Sequence, residues 1–189
     1  MRRQGRRFTL VLLCAVATVL GVGGTASAET GRPTPDQQLK NWDNGQCLAA
    51  NLRDLRVQQN PCTQISLQQW SRIPVSAVGG GPLNYFLLSN RAGNNCMAVS
   101  GQVVNNTKIV LKPCNADDGS QIWQQLLRYP DHGDGTAWHI VSLQGALCLD
   151  KPQGDNTPGV QIQVRQCASI PSDWNPFDDQ HFEQWWTFF

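Results

Sequence analysis

Six cysteines, three glutamines and three tryptophans recur along this chain in one spacing. Cys47 and Cys62 are followed by Gln68-Gln69-Trp70, Cys96 and Cys114 by Gln121-Ile122-Trp123, and Cys148 and Cys167 by Gln184-Trp185-Trp186. The chemistry open to this set is covalent cross-linking and packing. An even number of cysteines in an exported chain favours disulfides over metal ligation or redox catalysis. No Cys-x-x-Cys is present. Among the pairings that six cysteines allow, the repeat selects Cys47–Cys62, Cys96–Cys114 and Cys148–Cys167, one bridge per copy. Each closes a loop of about 15 to 20 residues and is worth about 3 kcal/mol through the entropy of the unfolded chain.

Chemistry of other kinds finds little material. Neither Gly-x-Ser-x-Gly nor His-Glu-x-x-His occurs. His139 lies in the apolar run Trp138 to Leu143 and reads as a packed or edge residue. The loops Asp131-His132-Gly133-Asp134 and Asp178-Asp179-Gln180-His181 carry oxygen and nitrogen ligands, but such loops are usually solvated turns. No metal site and no cofactor are expected. Without an assembled nucleophile or acid–base pair, the chain does not read as an enzyme.

These residues are positioned by a threefold repeat with a period of about 50 residues. Each copy opens with an apolar strand: Leu39 to Trp42, Tyr85 to Ser89, Trp138 to Leu143. A turn follows: Asp43-Asn44-Gly45, Ala92-Gly93-Asn94, Gln144-Gly145, of the composition that supplies positive φ. Next comes a cysteine with an apolar neighbour, then a second strand that runs to the second cysteine: Arg56 to Cys62, Lys108 to Cys114, Gln161 to Cys167. Gln-x-Trp is expected on a closing strand, where residues i and i+2 share a face. The indole then fills the junction of three small sheets, and the amide satisfies a nearby loop backbone. No segment has helical periodicity, so the class is all-β. One copy cannot bury its own apolar face, so the three must share a core.

The third copy differs. Five residues separate Cys62 from Gln68 and six separate Cys114 from Gln121, but sixteen separate Cys167 from Gln184. This insert carries Trp174 and Phe177. Beside it, Trp185 points away from Trp186, either covered by the insert, the preferred reading, or exposed as a contact patch.

Residues 1–28 read as a secretory signal peptide: a head with Arg2, Arg3, Arg6 and Arg7, an apolar run from Phe8 to Gly21, and the cleavage pattern Ala26-Ser27-Ala28. The run is too short for a comfortable membrane span. Leu13 ahead of Cys14 argues against lipid anchoring, and Arg6-Arg7-Phe8 is only a fragment of a twin-arginine signal. A secreted, extracellular protein is expected. Loss of the leader leaves eleven of the fifteen basic residues against fourteen acidic ones, a net charge near −3. That balance lacks the basic footprint of nucleic-acid binding and the polybasic patch of membrane association. Residues 29–36 are polar, with two prolines, and are expected to lack order. The single domain spans 37–189, with repeats at about 37–80, 84–128 and 137–189.

Three Gln-x-Trp copies, each behind a cysteine pair, resemble the ricin-B-type lectin family over nearly all of residues 37–189. The resemblance implies a β-trefoil with pseudo-threefold symmetry: twelve strands, a six-stranded barrel capped by three hairpins, and up to three shallow sugar sites. It implies a binding module, one that elsewhere accompanies toxins or glycoside hydrolases. In this family an Asp two residues after the first cysteine holds two sugar hydroxyls, and an aromatic two before the second cysteine stacks on the ring. An Asn before Gln-x-Trp also contacts the sugar, and the Gln orients the Asp. Here the Asp position holds Ala49, Ala98 and Asp150; the stacking position Asn60, Lys112 and Arg165; the Asn position Leu67, Ser120 and Glu183. The third copy alone keeps the carboxylate. The candidate sugar site is therefore Asp150, Gln163, Arg165, Glu183 and Gln184, with Arg165 available to an acidic sugar and Trp174 or Phe177 available as a substitute platform. Gln68, Trp70, Gln121, Trp123 and Trp186 are structural. The expected partner is a weakly bound glycan. The alternative is a protein partner, as in the inhibitors and toxin-delivery subunits that share this scaffold.

Overall fold

The structure, a computed structural model, describes residues 32–76, 85–128, 137–152, 154–168 and 184–189. Its described residues form twelve strands, two 3-10 turns and no α-helix. The first copy contributes β1 (Leu39–Asn41), β2 (Cys47–Asn51), β3 (Arg56–Asn60) and β4 (Trp70–Pro74). The second contributes β5 (Tyr85–Asn90), β6 (Asn95–Val99), β7 (Thr107–Pro113) and β8 (Trp123–Arg128). The third contributes β9 (Trp138–Ser142), β10 (Leu147–Asp150), β11 (Gln163–Gln166) and β12 (Trp186–Phe188).

Six strands close a ring. β4 pairs β5, β5 pairs β8, β8 pairs β9, β9 pairs β12 and β12 pairs β1, all antiparallel. A bridge between Gln37 and Trp70 completes the circuit. Closure removes the unpaired edges that an open sheet would present. The hairpins β2–β3, β6–β7 and β10–β11 lie across one end and join one another through β3–β7, β7–β11 and a bridge between Gln58 and Gln161. This is a β-trefoil.

One apolar cluster occupies the axis and takes residues from every copy, among them Leu48, Met97 and Leu149. Trp70, Trp123 and Trp186 each begin a ring strand with no exposure and belong to that cluster. Each indole Nε1 donates to the carbonyl after the first cysteine of its own copy: Leu48 at 3.1 Å, Met97 at 3.0 Å and Leu149 at 3.0 Å. The buried N–H is thus satisfied while the ring fills the junction. The three disulfides are Cys47–Cys62, Cys96–Cys114 and Cys148–Cys167.

Two local features depart from expectation. Gln68 and Gln121 are not on the closing strands; they end 3-10 turns, Ser66–Gln68 and Gly119–Gln121. The turn swings each amide back onto the segment around the second cysteine, which an extended chain could not reach. And the chain ahead of Gln37 is tied down from Thr34, whose N–H donates to the Arg72 carbonyl at 2.9 Å while its hydroxyl accepts from the Arg72 N–H at 3.0 Å.

Candidate functional site

Each Gln-x-Trp glutamine brackets the second cysteine of its copy. Gln68 donates to the Pro61 carbonyl at 2.8 Å and accepts from the Thr63 N–H at 2.6 Å. Gln121 does the same with Pro113 and Asn115, both at 3.0 Å. Gln184 does so with Gln166 at 3.0 Å and Ala168 at 2.8 Å. These brackets hold the chain on either side of each second cysteine, next to the three expected site positions.

The three positions have diverged. In the first copy Ala49, Asn60 and Leu67 line an open cleft of about 400 Å³ together with Leu52, Arg53 and Ile65. Ile65 is 49% exposed, and no carboxylate lines the cleft. In the second copy the corresponding side chains bond one another. Lys112 donates to the Ser120 hydroxyl at 3.1 Å and pairs with Asp118 at 3.4 Å. Burial opposes ionisation of Asp118, but hydrogen bonds from the Ser120 hydroxyl and N–H and from Gln121, with the Lys112 charge, outweigh it and hold the carboxyl below its ordinary pKa.

The third copy keeps the carboxylate. Asp150 ends β10 opposite Gln163, the first residue of β11. It is buried, and its oxygens accept from Gln163 Nε2 at 2.7 Å and Gln184 Nε2 at 3.3 Å. Asp150, Gln163 and Gln184 are therefore brought together. Arg165 lies on the same face of β11, opposite Cys148. Glu183, Trp174 and Phe177 lie outside the described residues.

Two side chains of the second copy join this site. β7 pairs with β11 in the register Lys108 to Gln163, and Lys108 Nζ donates to Gln163 Oε1 at 2.8 Å. Asn106 Oδ1 accepts from Gln163 Nε2 at 3.2 Å. The third copy's own sequence carries no sign of either. The signal lay in the threefold repeat, since closed hairpins must put the second strand of one copy beside that of the next.

Elsewhere, Trp185 is buried with Ala137 against Trp42, and its ring stacks on the buried His139 with centroids 4.0 Å apart. Among the described residues, His139, Cys148 and Cys167 are the one group of metal-ligating types that converges, but both sulphurs are spent in a disulfide and offer no thiolate. The Asp131 and Asp178 loops lie outside the described residues. No described helix is long and apolar enough to cross a membrane.

A family profile described as ricin-type β-trefoil lectin domain-like matches residues 68–165, just over half of the chain. No curated protein matches at a significant level. Among solved structures, a ricin B-like lectin of Macrolepiota procera in complex with lactose is 18% identical with a TM-score of 0.57, over 87% of this chain and 97% of that one. A designed threefold-symmetric protein, ThreeFoil, is 16% identical with a TM-score of 0.62, over 81% and 96%. An exo-β-1,3-galactanase of Clostridium thermocellum is 19% identical with a TM-score of 0.61, over 82% of this chain but only 30% of the enzyme. Such identities speak to the fold; the profile, with the three bracketed cysteine pairs and their three indole plugs, speaks to descent, and the chain belongs to the ricin-type β-trefoil lectin domain-like family.

Proposed function

We propose that this chain is a secreted, non-enzymatic carbohydrate-binding module whose sugar site is the third copy, around Asp150. One observation carries the reading. Ala49, Ala98 and Asp150 occupy the same register position, opposite Gln58, Val110 and Gln163. All three are buried. The fold accepts alanine there twice, so packing does not require a carboxylate, and burying one is costly unless it is well bonded. Gln163 and Gln184 supply those bonds. A carboxylate kept against this cost, at the position where relatives hold paired sugar hydroxyls, supports retention for binding. Being buried, it meets a ligand only after the chain around it gives way. A single monosaccharide site of this type binds at about millimolar Kd, near −4 kcal/mol. Useful avidity then requires display of several copies.

A glycan screen of the chain from Glu29 onward tests the reading. Binding that disappears in Asp150→Ala supports it, and the alanines of the sister copies predict that this variant folds. A folded protein that binds no glycan refutes it. The N-terminal sequence of exported protein, expected to begin at Glu29, tests the cleavage near Ala28.

The first-copy cleft favours a second reading, a protein partner. Its apolar wall of Leu52, Ile65 and Leu67 lacks both the carboxylate and the aromatic platform of a sugar site. A partner held there would be released by Leu67→Asp and retained by Asp150→Ala.

A further inference from the structure

Pseudo-symmetry supplies an internal control for the charges around Asp150. Three hydrogen-bonded strands, β10, β11 and β7, set Asp150, Gln163 and Lys108 in one cross-strand row. Arg165 stands two residues along β11, on the same face. Val164, between Gln163 and Arg165, is buried in the core from the opposite face. Lys108 is exposed and gives its ammonium to the neutral carbonyl of Gln163. Arg165 is half-buried, and neither cation has an ion-pair partner among the described residues.

The sister cations at the second-copy site are neutralised. Arg56 faces Val110 across β3 and β7 as Lys108 faces Gln163 across β7 and β11. Lys112 stands two residues before its second cysteine, as Arg165 does. Arg56 pairs with Asp54 at 3.4 Å, and Lys112 pairs with Asp118 at 3.4 Å. At the first-copy site the same two places hold the neutral Gln161 and Asn60. Among the described residues, the third-copy site is the one that sets two cations on this face with no ion-pair partner for either.

We propose that the third-copy site selects a glycan carrying an anionic group, a carboxylate or a sulfate, which meets these two cations. The inference rests on the sugar-binding reading above. The Arg165 guanidinium offers the planar fork that matches either anion, and Lys108 adds a point charge on the far side of Gln163. Arg165 stands where relatives carry the stacking aromatic, so a neutral ring loses its apolar platform here while an anionic one gains a charge-assisted hydrogen bond.

The test is a glycan array carrying each neutral oligosaccharide beside its sialylated, uronic or sulfated form, followed by titration of the best pair. The acidic member is expected to bind about tenfold tighter. The preference should shrink at about 0.5 M salt, where exposed charges are screened. Lys108→Gln with Arg165→Gln should bring the ratio near one. Arg56→Gln, at the neutralised sister position, should leave the ratio unaltered. Equal or better binding of the neutral member by the unaltered protein overturns the inference and leaves the sugar-binding reading standing. Failure of every glycan, neutral and acidic, overturns both.

Discussion

The ammonium of Lys151, only 1% exposed, meets the carboxylate of Asp43 in the turn between β1 and β2, and a second bond runs to Asn156 Oδ1 at 2.8 Å. The pair locks the β10–β11 loop of the third copy onto the first. Asn156 also accepts from Asn44 Nδ2 at 3.2 Å and, through its carbonyl, from Gln46 Nε2 at 2.6 Å, while Gln59 Nε2 reaches the Asp155 carbonyl at 2.8 Å. The two equivalent junctions are apolar: Leu52 lies against Gly93, and Val103 against Gly145. Asp43→Ala would strand a buried cation and should cost about 2–3 kcal/mol. Lys151→Met removes the charge with its burial cost and should cost less. Denaturant unfolding of the two variants checks the order.

The glutamine brackets predict a graded loss. Gln121→Ala leaves the Pro113 carbonyl and the Asn115 N–H without their partner and should destabilise by about 2 kcal/mol. Gln184→Ala opens the same bracket in the third copy and also removes one of the amides on Asp150. It should weaken glycan binding, whereas Gln121→Ala leaves binding alone. Thermal unfolding and a binding titration on both variants separate the two effects.

The glycines at the apolar junctions should respond unequally. A Cβ on Gly93 or on Gly145 would come within 2.7 Å of a side-chain carbon of Leu52 or Val103 respectively. Leu52 can swing its terminal methyl aside; the β-branched Val103 is stiff at χ1. Gly145 also holds φ near +90°, a conformation that L side chains rarely adopt. Gly145→Ala should therefore lower the melting temperature clearly more than Gly93→Ala.

Two carboxylates set a low-pH dependence. Asp118 is held below its ordinary pKa for the reasons given above, and the Thr157 N–H does the same to Asp155. A carboxyl depressed in the folded state stabilises at pH values above its unfolded pKa of about 3.9 and loses that contribution as pH falls through the folded value. The stability gap between the native protein and Asp118→Asn should be constant near neutrality and close progressively below about pH 4. A gap that widens on acidification would contradict this assignment of the ionised partner.

The fold was legible because its determinants are local and occur three times. Each cysteine pair, each Gln-x-Trp and each turn carries the same information, so divergence in one copy is corrected by the other two. The turns show how much detail survives: positive φ falls at Gly45 as its glycine suggests, but in the second copy at Asn94 rather than Gly93, and in the third at Ala146 as well as Gly145. The role of each glutamine was less accessible, because a 3-10 turn and a strand place the same residue on different neighbours.

What the linear chain determined by itself was the trefoil, the three disulfides and the survival of a single carboxylate at the family's sugar positions. Tertiary structure alone decided what surrounds that carboxylate. Lys108 and Asn106 reach Gln163, the amide bonded to that carboxylate, from another copy through strand register, Asp118 neutralises Lys112 in the second site, and Lys151 holds the loop beyond Asp150 against the first copy. The physical reason is range: covalent spacing and strand periodicity act within one copy, whereas charge pairing across a closed barrel depends on which strands the closure makes adjacent.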